Sequence, residues 1–471
     1  MPSMDLRNIT IFVFCGLLLC IGFSCRKDLE FETSSSALRF SKDTVFLDTI
    51  FTRSNSETYL LKVYNPSQQD ISLSEIYLNK RFSSAFRINV DGRSGFEFAN
   101  IPLRAQDSLM IFVEAAIDTG NQDWIEEDEI VFTDSNQKVK LLALAEESTY
   151  YYAASGDDFL LLNNDTEWNN SSSRVIYGHI KLAPQKRLTI HEGTKVYFHH
   201  NSSLTIESGA SLHLNGSLEQ PIVIRGDRHD ARYDTLPKQW NSIRLNEAEL
   251  ITNHAVIKGG TQGLNLINST AQIHNTQIYN MSSSGILAVN SEINASNLVI
   301  SDAGDACLKV EKGGNYNFYY SSFANNWVSG AVGISGYNIP AYLSNYRVLY
   351  DANGIETGTE YGDLNAFFAN CIFYGKYPNG VVLDQEGSQG FNFNFQNCLI
   401  KNENTNEFDF SSFHPLTENP DFVSTIFSRQ DLRLNENSPA RNQGNSTYNS
   451  YAPRDIKGNL RDNTPNMGAY E

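Results

Sequence analysis

Two series of short apolar segments recur in step along the second half of the chain, and this repetition limits the fold more strongly than any other feature. Segments of the first series begin at Ala255, Thr276, Leu298, Ser322, Cys371 and Cys398. Segments of the second series begin at Gly263, Gly285, Ala306, Gly330 and Gly380. Consecutive members are 21 to 24 residues apart, except for one step of about 50 residues and a final step of 27. Two series with matching steps are hard to obtain by chance, so they indicate a structural repeat.

A repeat of this length with two visible strands is typical of one coil of a parallel β-helix. Each coil stacks its strands on the coil below at ~4.8 Å per layer, so like residues are expected to meet inside as ladders. The near-doubled step leaves room for one divergent coil between residues 334 and 370. Shorter repeats at Gly193 and Gly209 open the solenoid. We assign the β-helix to residues 187–430 and interpret residues 149–186 as a connector and the start of the solenoid.

Asparagine directly precedes several strands of the first series. These asparagines are Asn275, Asn297, Asn370 and Asn397. Asparagine tolerates the backbone conformations of tight turns, and its amide can bond the same group in the next coil. We therefore predict that these residues form a structural corner between two sheets.

Residues 38–148 show a different pattern, in which about seven short alternating strands are separated by turn residues. Examples are residues 58–64 (TYLLKVY) and 108–114 (SLMIFVE). This spacing fits a β-sandwich of the immunoglobulin-like kind. Since no useful helical periodicity follows residue 25, we predict an all-β protein in which an immunoglobulin-like sandwich precedes a parallel β-helix.

The first residues have the pattern of an export signal. Arg7 precedes an apolar run at residues 9–23, which is shorter than the ~20 residues needed to span a bilayer. The motif Gly22-Phe23-Ser24-Cys25 resembles a lipobox, with Phe23 in place of the usual small or branched residue. We interpret residues 1–25 as a lipoprotein signal peptide, Cys25 as the lipidation site and residues 26–37 as a tether. The alternative is a plain secretory signal that is cut near Ser24.

The remaining cysteines and the net charge exclude several classes of protein. Cys307, Cys371 and Cys398 are an odd, sparse set that argues against a disulfide framework, and we interpret all three as buried thiols. Cys371 and Cys398 should share one ladder. No cysteine or histidine cluster has zinc spacing, so we expect no metal and no other cofactor. The net charge of -18 disfavours nucleic acid and polyanionic substrates, unless a local basic groove overrides it.

Several motifs carry a resemblance to a known family. They are residues 38–52 (LRFSKDTVFLDTIFT), 86–92 (FRINVDG) and 225–228 (RGDR), which lead to Gln239-Trp240. On these motifs the chain resembles a family of Bacteroidetes lipoproteins with a right-handed β-helix repeat domain, and the likeness covers nearly the whole mature sequence. The resemblance implies an exported outer-membrane lipoprotein, held by its N-terminal lipid at the cell surface or the periplasmic face. It implies no established activity.

The C-terminal residues resemble the module called choice-of-anchor Q, which closes many exported β-helix proteins. The matching motifs are residues 437–440 (NSPA), 455–459 (DIKGN) and 467–471 (MGAYE). The sequence departs from the module at residues 441–444 (RNQG), where acidic and small residues are usual. We therefore predict a C-terminal cap at residues 431–471.

The densest polar segment is the insertion from Arg225 to Trp240, which we select as the candidate ligand-binding loop. Its candidate binding residues are Asp227, Arg228, His229, Arg232, Tyr233 and Trp240. A tryptophan can stack on a sugar while charged groups bond its hydroxyls. The alternative is that Trp240 begins the next strand and packs in the core, with the loop as a charge-bonded cap.

Three functions are compatible with these features. The first is a non-catalytic envelope protein that binds a glycan or another partner. The second is a polysaccharide lyase or glycoside hydrolase, by analogy with pectate lyases and polygalacturonases of the same fold. Gly304-Asp305-Ala306-Cys307 resembles part of a polygalacturonase site, but Ala306 replaces a needed carboxylate, so we interpret Asp305 as a turn residue. The third function is a purely structural scaffold.

Overall fold

The computed structural model describes residues 31–33, 37–118, 125–327, 337–404, 413, 415–427 and 429–471. The chain divides into two compact units, Met1–Ala145 and Glu146–Glu471. The predicted signal peptide, Cys25 and the segment that begins at Gly330 lie outside the described residues. The described structure is nearly all β, as predicted, and its helical turns are Arg81–Ser83, Tyr233–Thr235 and Ser446–Tyr451. In this part of the chain no helix is long and apolar enough to cross a membrane.

The N-terminal unit consists of a six-stranded and a five-stranded sheet that share one hydrophobic core. Its strands are β1 (Glu32–Thr33), β2 (Arg39–Phe40), β3 (Thr44–Phe51), β4 (Tyr59–Tyr64), β5 (Ile71–Leu78), β6 (Phe86–Val90), β7 (Arg93–Gly95), β8 (Glu97–Leu103), β9 (Ser108–Ala115), β10 (Ile125–Phe132) and β11 (Gln137–Glu146). The alternation in β9 buries Leu109, Ile111 and Val113 and turns Met110 and Phe112 outward. One sheet has the order β1-β5-β10-β11-β3 with β8 beside β5, and the other has the order β2-β4-β9-β6-β7. All the pairs in these sheets except β1 with β5 are antiparallel where their register is described.

The C-terminal unit is built from parallel strands that stack in layers. The first strand of each layer belongs to a ten-stranded sheet: β12 (Ser148–Tyr152), β15 (Ser173–Tyr177), β18 (Lys195–Phe198), β21 (Ile222–Gly226), β24 (Ala255–Lys258), β27 (Gln277–Met281), β29 (Val299–Ala303), β31 (Ser322–Asn325), β36 (Ile372–Gly375) and β39 (Leu399–Ile400). The later strands of each layer belong to a sixteen-stranded sheet: β13 (Leu160–Leu162), β14 (Thr166–Trp168), β16 (His179–Leu182), β17 (Arg187–His191), β19 (Ser203–Ile206), β20 (Ser211–Asn215), β22 (Ile243–Asn246), β23 (Glu249–Asn253), β25 (Leu264–Ile267), β26 (Thr270–His274), β28 (Ile286–Ser296), β30 (Ala306–Tyr319), β32 (Ile339–Ser344), β35 (Leu364–Ala369), β37 (Val381–Asp384) and β38 (Phe391–Gln396). The parallel pairing begins at Ser148, well before the repeat that is visible in the sequence.

Both predicted series of strands are confirmed where they are described. Strands β28 and β30 are longer than the others. Each of them provides both the second and the third strand of its layer, because the chain stays extended where other layers have a turn. Inward side chains form the predicted ladders. Phe318, Phe368 and Phe395 stack with centroids 5.1 Å apart at each step and rings within 6° of parallel. Cys371 and Cys398 precede residues that pair in register, and they are buried together with Cys307, as predicted.

The corner before the strands of the ten-stranded sheet is also confirmed. Asn275, Asn297, Asn370 and Asn397 all have positive φ angles, from 48° to 55°. The amide of Asn297 donates to Oδ1 of Asn275 over 2.8 Å, and Asn275 donates in the same way to Asn253. At the layer between Asn297 and Asn370 the same corner is made by Tyr320, with φ at 49°, so the amide ladder is interrupted there.

The predicted divergent coil between residues 334 and 370 is wrong. Strand β31 pairs directly with β36, so the long step belongs to a single layer. The extra residues form an antiparallel hairpin of β33 (Tyr346–Tyr350) and β34 (Glu356–Tyr361). Its strands, YRVLY and ETGTEY, are only partly buried and do not alternate as the stacked strands do, but the spacing between repeats alone does not separate such an insertion from an extra coil. Residues 330–333 were predicted to form a strand of the second series. In the structure β32 takes that place in the sheet, where it pairs with both β30 and β37.

The C-terminal segment lies against the outward face of the ten-stranded sheet. It contains β40 (Phe422–Ser424) and β41 (Asp431–Leu434), which pair with each other. Leu432, Ile456, Met467 and Tyr470 form a separate hydrophobic cluster with outward residues of the sheet, among them Val299 and Ile372. This cluster covers part of the outward face of the ten-stranded sheet.

Candidate functional site

The predicted binding loop places Trp240 in the core, which is the alternative interpretation of that residue. Trp240 is 1% exposed, and its ring stacks on Phe198 with centroids 4.8 Å apart. Its indole Nε1 donates to the backbone oxygen of Lys258 over 2.9 Å. Since the ring is enclosed on both sides, Trp240 offers no face to a ligand.

The other candidate residues of the loop bond to one another or to the sheet below. Asp227 accepts a hydrogen bond from Nδ1 of His199 over 2.7 Å. The guanidinium carbon of Arg228 lies 4.2 Å from the centre of the Tyr233 ring. Arg232 is exposed and lies in the turn before Tyr233. The loop is therefore braced internally, and it does not gather its candidate residues around an opening.

Two further contacts fasten the loop to the ten-stranded sheet. Arg225 and Lys258 both bind Oδ1 of Asp234, over 2.7 and 3.2 Å. His229 is largely buried against Tyr197, with ring centroids 4.8 Å apart. Burial, together with the positive charges of Arg225 and Lys195, lowers the pKa of His229 to about 3. These groups act in stability, because their charges are already matched.

A surface that the sequence did not single out has the properties of a binding site. It consists of the outward side chains of the third strand of each layer, from Arg187 to Gln396, and we call it the polar face. Because the strands pair in register, these side chains form straight columns along the stacking direction. The first column contains Arg187, Ser211, Glu249, Thr270, Glu292, Asn315, Asn365 and Asn392.

An exposed amide ladder runs along the upper part of this column. Asn365 donates from Nδ2 to Oδ1 of Asn315 over 3.1 Å, and Asn392 donates to Asn365 over 3.0 Å. In the neighbouring column Asn317 donates to Asn294 over 2.9 Å. A central amide in such a ladder uses one N–H and one oxygen lone pair, so one N–H and one lone pair remain for a ligand. Each layer thus repeats the same donor and acceptor pair.

Aromatic rings border the amide ladder on one side. Tyr319 stacks on Tyr451 of the C-terminal segment, with centroids 3.9 Å apart and planes 3° from parallel. Phe367 and Tyr448 complete the group within 6.0 Å of Tyr319. Tyr451 is 54% exposed, so one of its faces is open to solvent. Partial burial and the adjacent phenol of Tyr451 raise the pKa of Tyr319 to about 12, and its phenol is therefore neutral near pH 7.

The lower end of the polar face contains a groove of about 460 Å³. Lys186, Arg187, Glu247 and Glu249 are among the charged residues that line it. Side chains arranged for catalysis are less evident than side chains arranged for binding. Asp305 accepts a hydrogen bond from Lys309 over 2.9 Å, which is consistent with a structural role. Among the described residues, no group of three or more His, Cys, Asp and Glu side chains is arranged to hold a metal ion.

One pattern in the sequence could have identified the residues of the polar face. Residues 315–318 (NYNF) and 391–396 (FNFNFQ) alternate aromatic and amide side chains with a period of two. This period places Tyr316, Phe318 and Phe395 in the core and the amides outside. The pattern identifies the two faces of each strand, but the register between distant strands is needed to align the amides.

No protein-family model and no curated protein matches the chain.

Proposed function

We propose that the protein is a lipid-anchored component of a Bacteroidetes-type cell envelope, which binds a linear glycan along the polar face without cleaving it. In this proposal the N-terminal unit is an immunoglobulin-like sandwich. The C-terminal unit is a right-handed parallel β-helix of the pectate lyase type. The lipid on Cys25 attaches the chain to the outer membrane.

The observation that carries the proposal is the exposed amide ladder on a face that also carries the exposed ring of Tyr451, which stacks on Tyr319, four residues along β30 from Asn315. A polysaccharide repeats the same hydroxyl groups along its length, and the ladder of Asn315, Asn365 and Asn392 repeats the same donors and acceptors at ~4.8 Å per layer. An aromatic ring can pack against the apolar face of a sugar while neighbouring amides bond its hydroxyls. The surface combines both kinds of contact on a rigid support.

The same groups favour binding over cleavage. Hydrolysis of a glycosidic bond requires a proton donor and a base whose pKa values suit the working pH. Amides do not transfer protons near neutral pH, and the phenol of Tyr319 has its pKa raised to about 12. The upper part of the polar face therefore suits a binding protein.

The anchor is tested by metabolic labelling with palmitate in the native bacterium. We expect label on the wild-type chain and none on a Cys25→Ser variant, which should also leave the membrane fraction. Equal labelling of both chains would contradict lipidation at Cys25.

Glycan binding is tested by a polysaccharide array followed by titration of the bound glycans. Tyr451→Ala should lower affinity about ten-fold, equivalent to roughly 1.4 kcal/mol, because the sugar loses its stacking surface. Tyr350→Ala is the matched control, since Tyr350 is 63% exposed but lies on the hairpin. Absence of binding to plant, host and bacterial polysaccharides, or an equal effect of both substitutions, would refute the proposal.

A further inference from the structure

The groove at the lower end of the polar face runs along the stacking direction. Its floor contains Ala210 and Ala248, which are 2% and 6% exposed. Gly209 lies beside them and has no side chain to fill the space. On one flank Arg187 and Glu249 belong to a single in-register column with Ser211 between them. The groove therefore follows the same axis as the amide ladder, and an extended chain along the polar face can enter it.

One end of the groove carries the cations of Lys186 and Arg187 beside one carboxylate, that of Asp165, whose Oδ1 accepts a hydrogen bond from the backbone N–H of Arg187 over 3.0 Å. Nε of Arg187 donates to Oγ of Ser211 over 3.4 Å. Neither Arg187 nor Lys186 forms an ion pair with any residue in the part of the chain that the structure describes. Two cations against one carboxylate leave this end with a net positive charge in a chain whose net charge is -18, which favours an anion there. The planar fork of arginine suits a carboxylate in particular.

The other end of the groove carries carboxylates. Glu249 lies two layers above Arg187 in the column, roughly 10 Å away at ~4.8 Å per layer. Oε2 of Glu247 accepts a hydrogen bond from Oγ of Ser208 over 3.0 Å, and Oε2 of Glu249 is 3.9 Å from Nε2 of His213. Carboxylate oxygens are strong acceptors for sugar hydroxyls and repel a second carboxylate. The groove thus has an anion-binding end and a hydroxyl-binding end.

We propose that this groove binds an acidic glycan in which two or more neutral sugars follow each uronate, with the uronate carboxylate on Arg187 and Lys186 and a neutral sugar beside Glu247 and Glu249. This inference rests on the proposed glycan-binding function and specifies the class of glycan. A polymer in which every sugar or every second sugar is a uronate is disfavoured, because one sugar spans about one layer and the carboxylate two sugars further on would face the two glutamates. A neutral polymer lacks the group that the cations recognise.

The test compares polymers that differ in charge pattern. Gellan oligosaccharides, in which several neutral sugars separate successive uronates, are titrated into the mature chain beside hyaluronan, oligogalacturonate and carboxyl-reduced gellan. We expect gellan to bind most tightly. The double variant Lys186→Ala/Arg187→Ala should lose about ten-fold or more of that affinity, the loss expected for a charge-assisted hydrogen bond. It should bind carboxyl-reduced gellan as the wild type does.

Arg244→Ala serves as the matched control, because Arg244 is an exposed cation on the neighbouring strand β22 and does not line the groove. Its affinity should remain at the wild-type value. The inference is overturned if carboxyl-reduced gellan binds as tightly as gellan, if the double variant and Arg244→Ala behave alike, or if polyglutamate binds as tightly as gellan. In these cases glycan binding that still depends on Tyr451 would leave the proposed function intact, whereas loss of all glycan binding would remove both.

Discussion

The guanidinium of Arg461 lies over the ring of Tyr320, with its central carbon 3.8 Å from the ring centroid. Arg461 also donates to Oδ1 of Asn297 over 2.9 Å and pairs with Glu471 over 2.7 Å. The side chain of Arg461 is fully buried. The C-terminal segment is therefore locked to the stack at the layer where Tyr320 interrupts the amide ladder.

Arg461→Ala should destabilise the C-terminal unit by about 3 kcal/mol, because it leaves the partly buried carboxylate of Glu471 without its cation and removes the fully buried guanidinium from its contacts. Arg461→Lys should recover only part of this loss, since a lysine cannot satisfy Glu471 and Asn297 with one planar group. Thermal unfolding of the mature chain measures both effects, with the exposed Arg433→Ala as the reference. A change of less than about 0.5 kcal/mol for Arg461→Ala would show that the clamp contributes little.

The positive φ of Asn275 predicts an unusual order of substitutions. Asn275→Gly should be less destabilising than Asn275→Ala by about 1 kcal/mol, although both remove the amide that links Asn253 and Asn297. Glycine adopts a φ of 48° without strain, whereas alanine does not. Urea unfolding at pH 7 provides the comparison. The reverse order would mean that the corner relaxes away from the left-handed conformation.

Gly468 should not accept a side chain. Its φ is +83°, and a Cβ there would lie 2.7 Å from Oγ of Ser322 and 2.8 Å from Cδ1 of Ile372. We expect Gly468→Ala to cost about 2 kcal/mol, from backbone strain and overpacking together. The control is Gly354→Ala, because Gly354 also has a positive φ but has no atom within 4 Å of the added Cβ. Equal losses in melting temperature for the two variants would rule out the steric part of the argument.

Stability should decrease as the pH falls below the usual histidine pKa of 6.5. Burial lowers the pKa of His229 to about 3, with further lowering by Arg225, Lys195 and Lys258 and an opposite effect of Asp234. Between these values the unfolded chain binds a proton that the folded chain excludes, so the free energy of unfolding falls by up to about 1.4 kcal/mol per pH unit.

The variant His229→Gln should therefore reduce the slope of unfolding free energy against pH between pH 6.5 and 4. It should not abolish the slope, because burial lowers the pKa values of His213, His254 and His274 as well. Urea midpoints at several pH values measure the slope, and His200→Gln, at an exposed position, is the control. An unchanged slope in His229→Gln would indicate that His229 is accessible to protons in the folded state.

The repeat and the asparagine corner were predictable because similar residues recur at the same place in successive layers. Asn275 and Asn297 recur before strands with the same apolar alternation, and a positive φ suits asparagine wherever it occurs. The hairpin β33–β34 was not predicted, because the spacing between repeats gives the number of inserted residues but not whether they stack as a coil or pair with each other. The loop from Arg225 to Trp240 was chosen for its polar density, which does not reveal whether charges face a ligand or one another.

The sequence by itself determined the all-β character, the layer length, the asparagine corner and the burial of the three cysteines, since these follow from the alternation and recurrence of nearby residues. Only the tertiary structure decided which outward residues align. Asn315, Asn365 and Asn392 form one ladder because the strands of adjacent layers pair in register, whatever is inserted in the chain between them. Likewise Arg461 meets Asn297 across 164 residues of chain. A local pattern states which face a residue occupies, but the partner on that face depends on the path of the whole chain.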